Sequence, residues 1–229
     1  MIRLQSIVLA LGCMSLLPAL ADAQTTVLDE GTFRIMLNGR EVGRETFSIR
    51  QSGSGGDAVI VAQGRISLGG EQISSSLELQ GAGLRPAAYE VQVEGDSEQR
   101  ITGRVSSGRF SARILSAAGE QMREYLASDG AVVADDGVAH HYYFVAQQAL
   151  QGAANMPLLI PRQSRQTAAQ VALSEDRIEV GGRTVSAQLL RIEPAGGDER
   201  RVWVDGEGRV LRVEVSARGY VAVRASLPD

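Results

Sequence analysis

Three observations predict a mainly β fold, a large bent antiparallel sheet or open, incomplete β-barrel with one helix against its concave face. Short stretches alternate apolar and polar residues at period 2, as half-buried strands do. Glycine-rich turns separate these stretches along most of the chain. One stretch only, 138–151, repeats apolar residues at helical spacing instead. The unit is clearest in RRVWVDGEGRVLRVEV, residues 200–215. Val202 and Val204 share one face on the way in, Leu211, Val213 and Val215 share one on the way out, and Arg201, Arg212 and Glu214 point away. Asp205-Gly206-Glu207-Gly208 supplies the turn.

In chain order, the first 23 residues read as a secretory signal peptide. Arg3 is a minimal positive region, residues 7–20 are an apolar run interrupted by Pro18, and Ala21-Asp22-Ala23 is a small-x-small cleavage site. The rival reading, a lipoprotein signal acylated at Cys13, is poorly matched by Ala10-Leu11-Gly12. Cleavage before Gln24 places the mature chain in the periplasm or outside the cell, as a single domain over 24–229 with no further long apolar run. Cys13 is the one cysteine and leaves with the signal, so neither a disulfide nor a thiolate site is expected.

The strands follow. Residues 32–37 carry Phe33, Ile35 and Leu37 on one face, Asn38-Gly39 is a strong hairpin turn, and 42–50 return. Residues 58–66, 73–79, 87–93, 101–105, 110–114, 121–126 and 131–134 continue the meander, the last two as a pair about Asp129-Gly130. Within 138–151, Ala139, Tyr143, Ala146 and Leu150 form the apolar stripe, Gln147, Gln148 and Gln151 lie elsewhere, and Asp136 is placed to cap. The proline-bounded run 156–162 fits an edge strand or extended connection. Strands resume over 167–173, 177–180, 183–192, 201–204, 209–215 and 220–225. That makes roughly a dozen strands and one helix, the elements of a strongly bent sheet.

Charge and composition exclude several chemistries. The net charge is −4 with no basic block, which argues against nucleic acid as partner. All 23 basic residues are arginine, so neither a Walker A loop nor a lysine base is present. No G-x-S-x-G elbow occurs, and Gly81-Ala82-Gly83 and Gly206-Glu207-Gly208 are turns. The two histidines, His140 and His141, sit beside Asp135, Asp136, Tyr142 and Tyr143, and are the candidates for a metal or an acid–base pair. Adjacent residues diverge by about 100° on a helix, so the pair is a weak metal site, and exposed imidazoles at a helix entry are expected instead. No cofactor is expected.

Three apolar features bear on ligand binding. Trp203, the sole tryptophan, faces opposite Val202 and Val204; it stacks on a ligand or packs under the helix. Tyr142, Tyr143 and Phe144 open the helix, and Leu158, Leu159 and Ile160 follow it. Together they would line an apolar cavity under a helix-and-loop lid, or fill the barrel as a plug.

The hairpin of residues 32–49 and the closing pattern from Val202-Trp203-Val204-Asp205 through Arg209-Val210-Leu211-Arg212-Val213 resemble bacterial envelope proteins of the LolA/LppX-like lipoprotein localisation factor superfamily. The resemblance implies an incomplete β-barrel closed by helical or loop segments around a cavity for acyl chains. The chain departs from it in having one clear helix where the carrier has several.

The leading expectation is therefore a periplasmic, non-enzymatic protein that binds a lipid or other apolar ligand. The alternative is an envelope structural or assembly protein that docks a partner through its strand edges. A hollow interior would favour the first, and a plugged interior with an unblocked edge the second.

Overall fold

The computed structural model describes residues 25–228. The signal peptide expected over 1–23 lies outside them. Fifteen strands form one sheet that does not close: β1 Thr25–Leu37, β2 Arg40–Ser52, β3 Val59–Leu68, β4 Glu71–Gln80, β5 Arg85–Glu94, β6 Gln99–Ser106, β7 Arg109–Ser116, β8 Gly119–Leu126, β9 Val132–Val133, β10 Asn155–Ile160, β11 Arg165–Val180, β12 Arg183–Pro194, β13 Arg200–Val204, β14 Val210–Val215 and β15 Tyr220–Arg224. The single α-helix among the described residues, α1 Tyr142–Leu150, is entered through a 3₁₀ turn at Ala139–His141.

Topology follows from where the described chain starts. β1 lies in the middle of the sheet, paired with both β2 and β15. A meander of hairpins runs outward from it to β8, which pairs with β7 alone and is one end of the sheet. The chain then crosses the concave face, lays down β9 and α1, and returns through β10 to β15. At the first turn Asn38 and Gly39 both have positive φ, 50° and 79°. A two-residue hairpin loop needs that, and its twist matches the flanking strands.

The period-2 pattern sends one side of every strand inward. Ile66, Ile73 and Val93 stand in register across β3 to β5, and Val91, Ile101 and Ile114 across β5 to β7. All six are buried, in a main core shared with α1. Burying such a side chain contributes on the order of 2 kcal/mol, so the rows hold the roll around its helix.

The structure corrects four sequence expectations. Residues 131–134 do not pair back on β8; Val132 and Val133 run parallel to β10, opposite Leu158 and Leu159. β10 is consequently flanked on both sides, by β9 and β11, and is no edge strand. The segments expected at 167–173 and 177–180 are one long strand, β11. The helix has no wet face: Gln148, placed off the apolar stripe, is 7% exposed, whereas Leu150, placed on it, is 36% exposed. A helix enclosed by a rolled sheet buries most of its circumference, so amphipathic periodicity misjudges which side is solvated.

A second, smaller cluster lies on the outer face of the β11–β14 region. Ile178, Val180, Ala187, Leu189, Trp203 and Leu211 form it, with Leu189 directly opposite Trp203. No helix among the described residues is long and apolar enough to cross a membrane.

Candidate functional site

The helix entry gathers five buried polar side chains, Glu45, Ser75, Asp135, His140 and His141. Glu45 sits on β2 on the same inward face as Phe47 and Ile49, and is fully buried. A carboxylate there requires partners. It accepts the Ala139 N–H at 2.7 Å, the His140 N–H at 2.8 Å and the His140 Nδ1–H at 2.6 Å. A strand residue distant in sequence thus caps the helical segment, satisfying N–H groups that have no intrahelical acceptor. Asp136, the expected cap, instead holds Arg200 at 3.0 Å and binds Arg218 and Gln163. The His140 ring stacks on Phe47 at a centroid distance of 5.7 Å. Gly64 on β3 makes the room, since a Cβ there would lie 2.5 Å from His140 Cε1.

His141 belongs to a second chain of contacts. Its Nδ1 accepts the Asp135 N–H at 3.3 Å, which leaves Nε2–H to donate to Ser75 Oγ at 3.2 Å. Burial, then the neighbouring His140, pushes its pKa well below the ordinary 6.5, so the ring is neutral. Asp135 accepts the Tyr89 hydroxyl at 2.7 Å and the backbone N–H groups of Asp136 and Arg162. Burial raises its carboxyl to about 6 against these donors. Burial, with the Asp135 charge next, raises Tyr89 well above 10.

This Ser–His–Asp neighbourhood is wired against nucleophilic catalysis. The imidazole nitrogen facing Ser75 already carries the proton, so it cannot accept one from the hydroxyl. The other nitrogen meets a backbone N–H, not the Asp135 carboxylate. Both rings are fully buried, which corrects the expectation of exposed imidazoles. Their bonded nitrogens aim at separate partners, Glu45 and Ser75. Among the described residues no three His, Cys, Asp or Glu side chains are grouped to hold a metal.

Of the expected ligand-lining residues, Tyr142, Tyr143, Phe144, Leu158 and Leu159 are brought together, in the buried core that fills the roll. Ile160 is fully buried at the end of β10. Trp203 does not join them. It belongs to the outer-face cluster, with Nε1–H donating to Asp176 Oδ2 at 2.8 Å and the Arg201 and Arg212 guanidinium groups 5.7 and 5.2 Å from its ring centroid. The sheet separates Trp203 from the helix under which packing was expected.

The polar groups that stand open are at the end of the sheet. In an antiparallel pair, alternate residues turn their backbone N–H and C=O toward one neighbour and then the other. The Ala127 N–H bonds Gly108 O, and Leu126 turns both its groups outward, where the Gln166 side chain takes them: N–H to Oε1 at 3.0 Å and Nε2–H to O at 2.9 Å. The same alternation turns the N–H and C=O of Glu120, Met122 and Glu124 outward on β8. Their side chains share the outer face with Leu126. Met122 and Leu126 are 62% and 61% exposed, and Leu115 on the adjoining strand is exposed as well. Glu120 is bound by Arg113 at 2.7 Å and Glu124 by Arg109 at 3.4 Å.

The period-2 pattern marks β8, but the strand expected at 131–134 pairs with β10 and leaves the β8 edge open. The available signal was Met122 and Leu126, apolar residues on the face opposite Tyr125.

Comparisons with protein-family models, curated proteins and solved structures give no match, and nothing in them links the chain to the lipoprotein localisation factors. The class that fold and edge define is architectural: an open roll, antiparallel except where β9 meets β10, packed around a helix, with β8 as a solvated end strand.

Proposed function

We propose that this chain is a non-enzymatic envelope protein that docks a partner by adding one of the partner's extended segments to β8. The observation that carries the reading is the row of outward backbone groups at Glu120, Met122 and Glu124, beside exposed Met122 and Leu126. Long exposed edges invite pairing and are commonly blunted by charge, proline or a cover. The two carboxylates on the outer side, Glu120 and Glu124, are consumed within the chain, by Arg113 and Arg109. The carrier reading draws less support, because the residues expected to line an acyl cavity pack on one another. The envelope location rests on the leader-like residues 1–23.

The test is a photo-reactive side chain at Gln121, in the chain produced with its leader in a bacterial periplasm. A discrete cross-linked product is expected, and Met122→Pro should abolish it without changing the circular dichroism, because the Met122 N–H points away from β7. A product indifferent to Met122→Pro would overturn the reading. So would acyl-chain adducts, released on denaturation, in native mass spectra of the purified chain.

A further inference from the structure

Accepting that β8 is a docking edge, the charges along it specify what it docks. Glu120 and Glu124, on the outer side, are ion-paired within the chain. Arg123, on the inner side between Gln121 and Tyr125, makes no ion pair among the described residues; its guanidinium reaches only the Gln121 Oε1, at 3.5 Å. The uncompensated charge of the edge is therefore one cation, facing inward, while the outer side offers the exposed thioether of Met122. At its far end the edge is stopped by Gln166, whose amide occupies both outward groups of Leu126 as a neighbouring strand would. That bond pair also ties β8 to β11 across the gap in the roll.

We propose that the occupant of the β8 edge is an extended segment with an acidic residue opposite Arg123 and apolar residues on the Met122 side, and that Gln166 is a latch which this segment displaces. A strand pairing with Glu120, Met122 and Glu124 gains its backbone bonds without disturbing the β7 ladder. Opposite charges placed across strands favour the pairing, and like charges oppose it. Extension of the strand past Glu124 meets Leu126, where it exchanges with the Gln166 amide.

The probes are two capped nine-residue peptides of alternating threonine and valine, one with glutamate and one with lysine at the central threonine position. Binding to the chain lacking residues 1–23 is measured by isothermal calorimetry at low salt. The glutamate peptide should bind roughly three- to tenfold more tightly than the lysine peptide, and the difference should shrink as salt rises. Arg123→Glu should reverse the order. Gln166→Ala should tighten the glutamate peptide by about fivefold, for the loss of two competing exposed hydrogen bonds. Equal binding of the two peptides, both abolished by Met122→Pro, would overturn the proposed partner chemistry and leave the docking edge standing. Binding indifferent to Met122→Pro, or no binding of either peptide, would overturn both. A Gln166→Ala protein that binds like wild type would overturn the latch.

Discussion

Glu45→Gln tests the link between the rolled sheet and its helix. The carboxylate accepts three buried hydrogen bonds, from Ala139 N, His140 N and His140 Nδ1, all at 2.6–2.8 Å. An amide keeps one oxygen. Set toward His140, it retains two acceptances without charge, each weakened by about 1 kcal/mol. Its NH₂ then faces the Ala139 N–H, and a buried donor without acceptor costs about 1–3 kcal/mol. The variant should therefore lose on the order of 3–5 kcal/mol, a large share of the roughly 5–15 kcal/mol typical of a domain. Urea unfolding followed by far-ultraviolet circular dichroism measures this by linear extrapolation. Glu41→Gln, at an exposed position on the same strand, is the control and should change stability by under about 0.5 kcal/mol. A Glu45→Gln protein as stable as that control would refute the cap, and with it the claim that β2 positions the helix.

Further outcomes follow from the same geometry. Asp135 binds its proton more tightly folded than unfolded, with its carboxyl raised from 3.8 to about 6, so its contribution is fully present below about pH 4 and is lost as pH rises to about 6. The difference is on the order of 3 kcal/mol. His141, held neutral by burial, acts in the opposite sense, losing stability as pH falls below its ordinary 6.5. Urea midpoints of wild type and Asp135→Asn between pH 4 and 7 separate the two, and the variant should gain on wild type as pH rises. Gly64→Ala drives a methyl into His140 and should cost about 1–3 kcal/mol by the same assay; a neutral result would contradict the packing of that ring. Trp203→Phe removes the indole bond to Asp176 and should lower the urea midpoint. Trp203 fluorescence in the wild type should respond to Asp176→Ala, which leaves the concave face untouched.

The strands were legible because each reports its own burial locally. Alternation in Phe33–Ile35 or Tyr89–Val91–Val93 is decided by one wet and one dry face, and Asn38-Gly39 by backbone sterics. What depended on contacts remote in sequence was not legible. Nothing near residue 139 announces that Glu45 caps it, because cap and helix are joined only by the curl of the sheet. Asp136 had the right chemistry in the right place, but three groups from elsewhere, Arg200, Arg218 and Gln163, claim its carboxylate. Alternation alone puts Trp203 on the face opposite Val202 and Val204. That this face is the outer one is set by the cluster of Ile178, Leu189 and Leu211. The β8 edge was masked by a turn signal, Asp129-Gly130, which leads across the concave face to β9 in place of a return strand.

The central claim, a packed interior with one open strand edge, is tested most directly by amide hydrogen exchange along β8 in the free protein. Glu120, Met122 and Glu124 should exchange rapidly while Gln121, Arg123 and Tyr125, bonded to β7, are protected, an alternation that only an edge strand produces. Uniform protection through Gly119–Leu126 would mean that another strand already covers the edge, and would contradict the account.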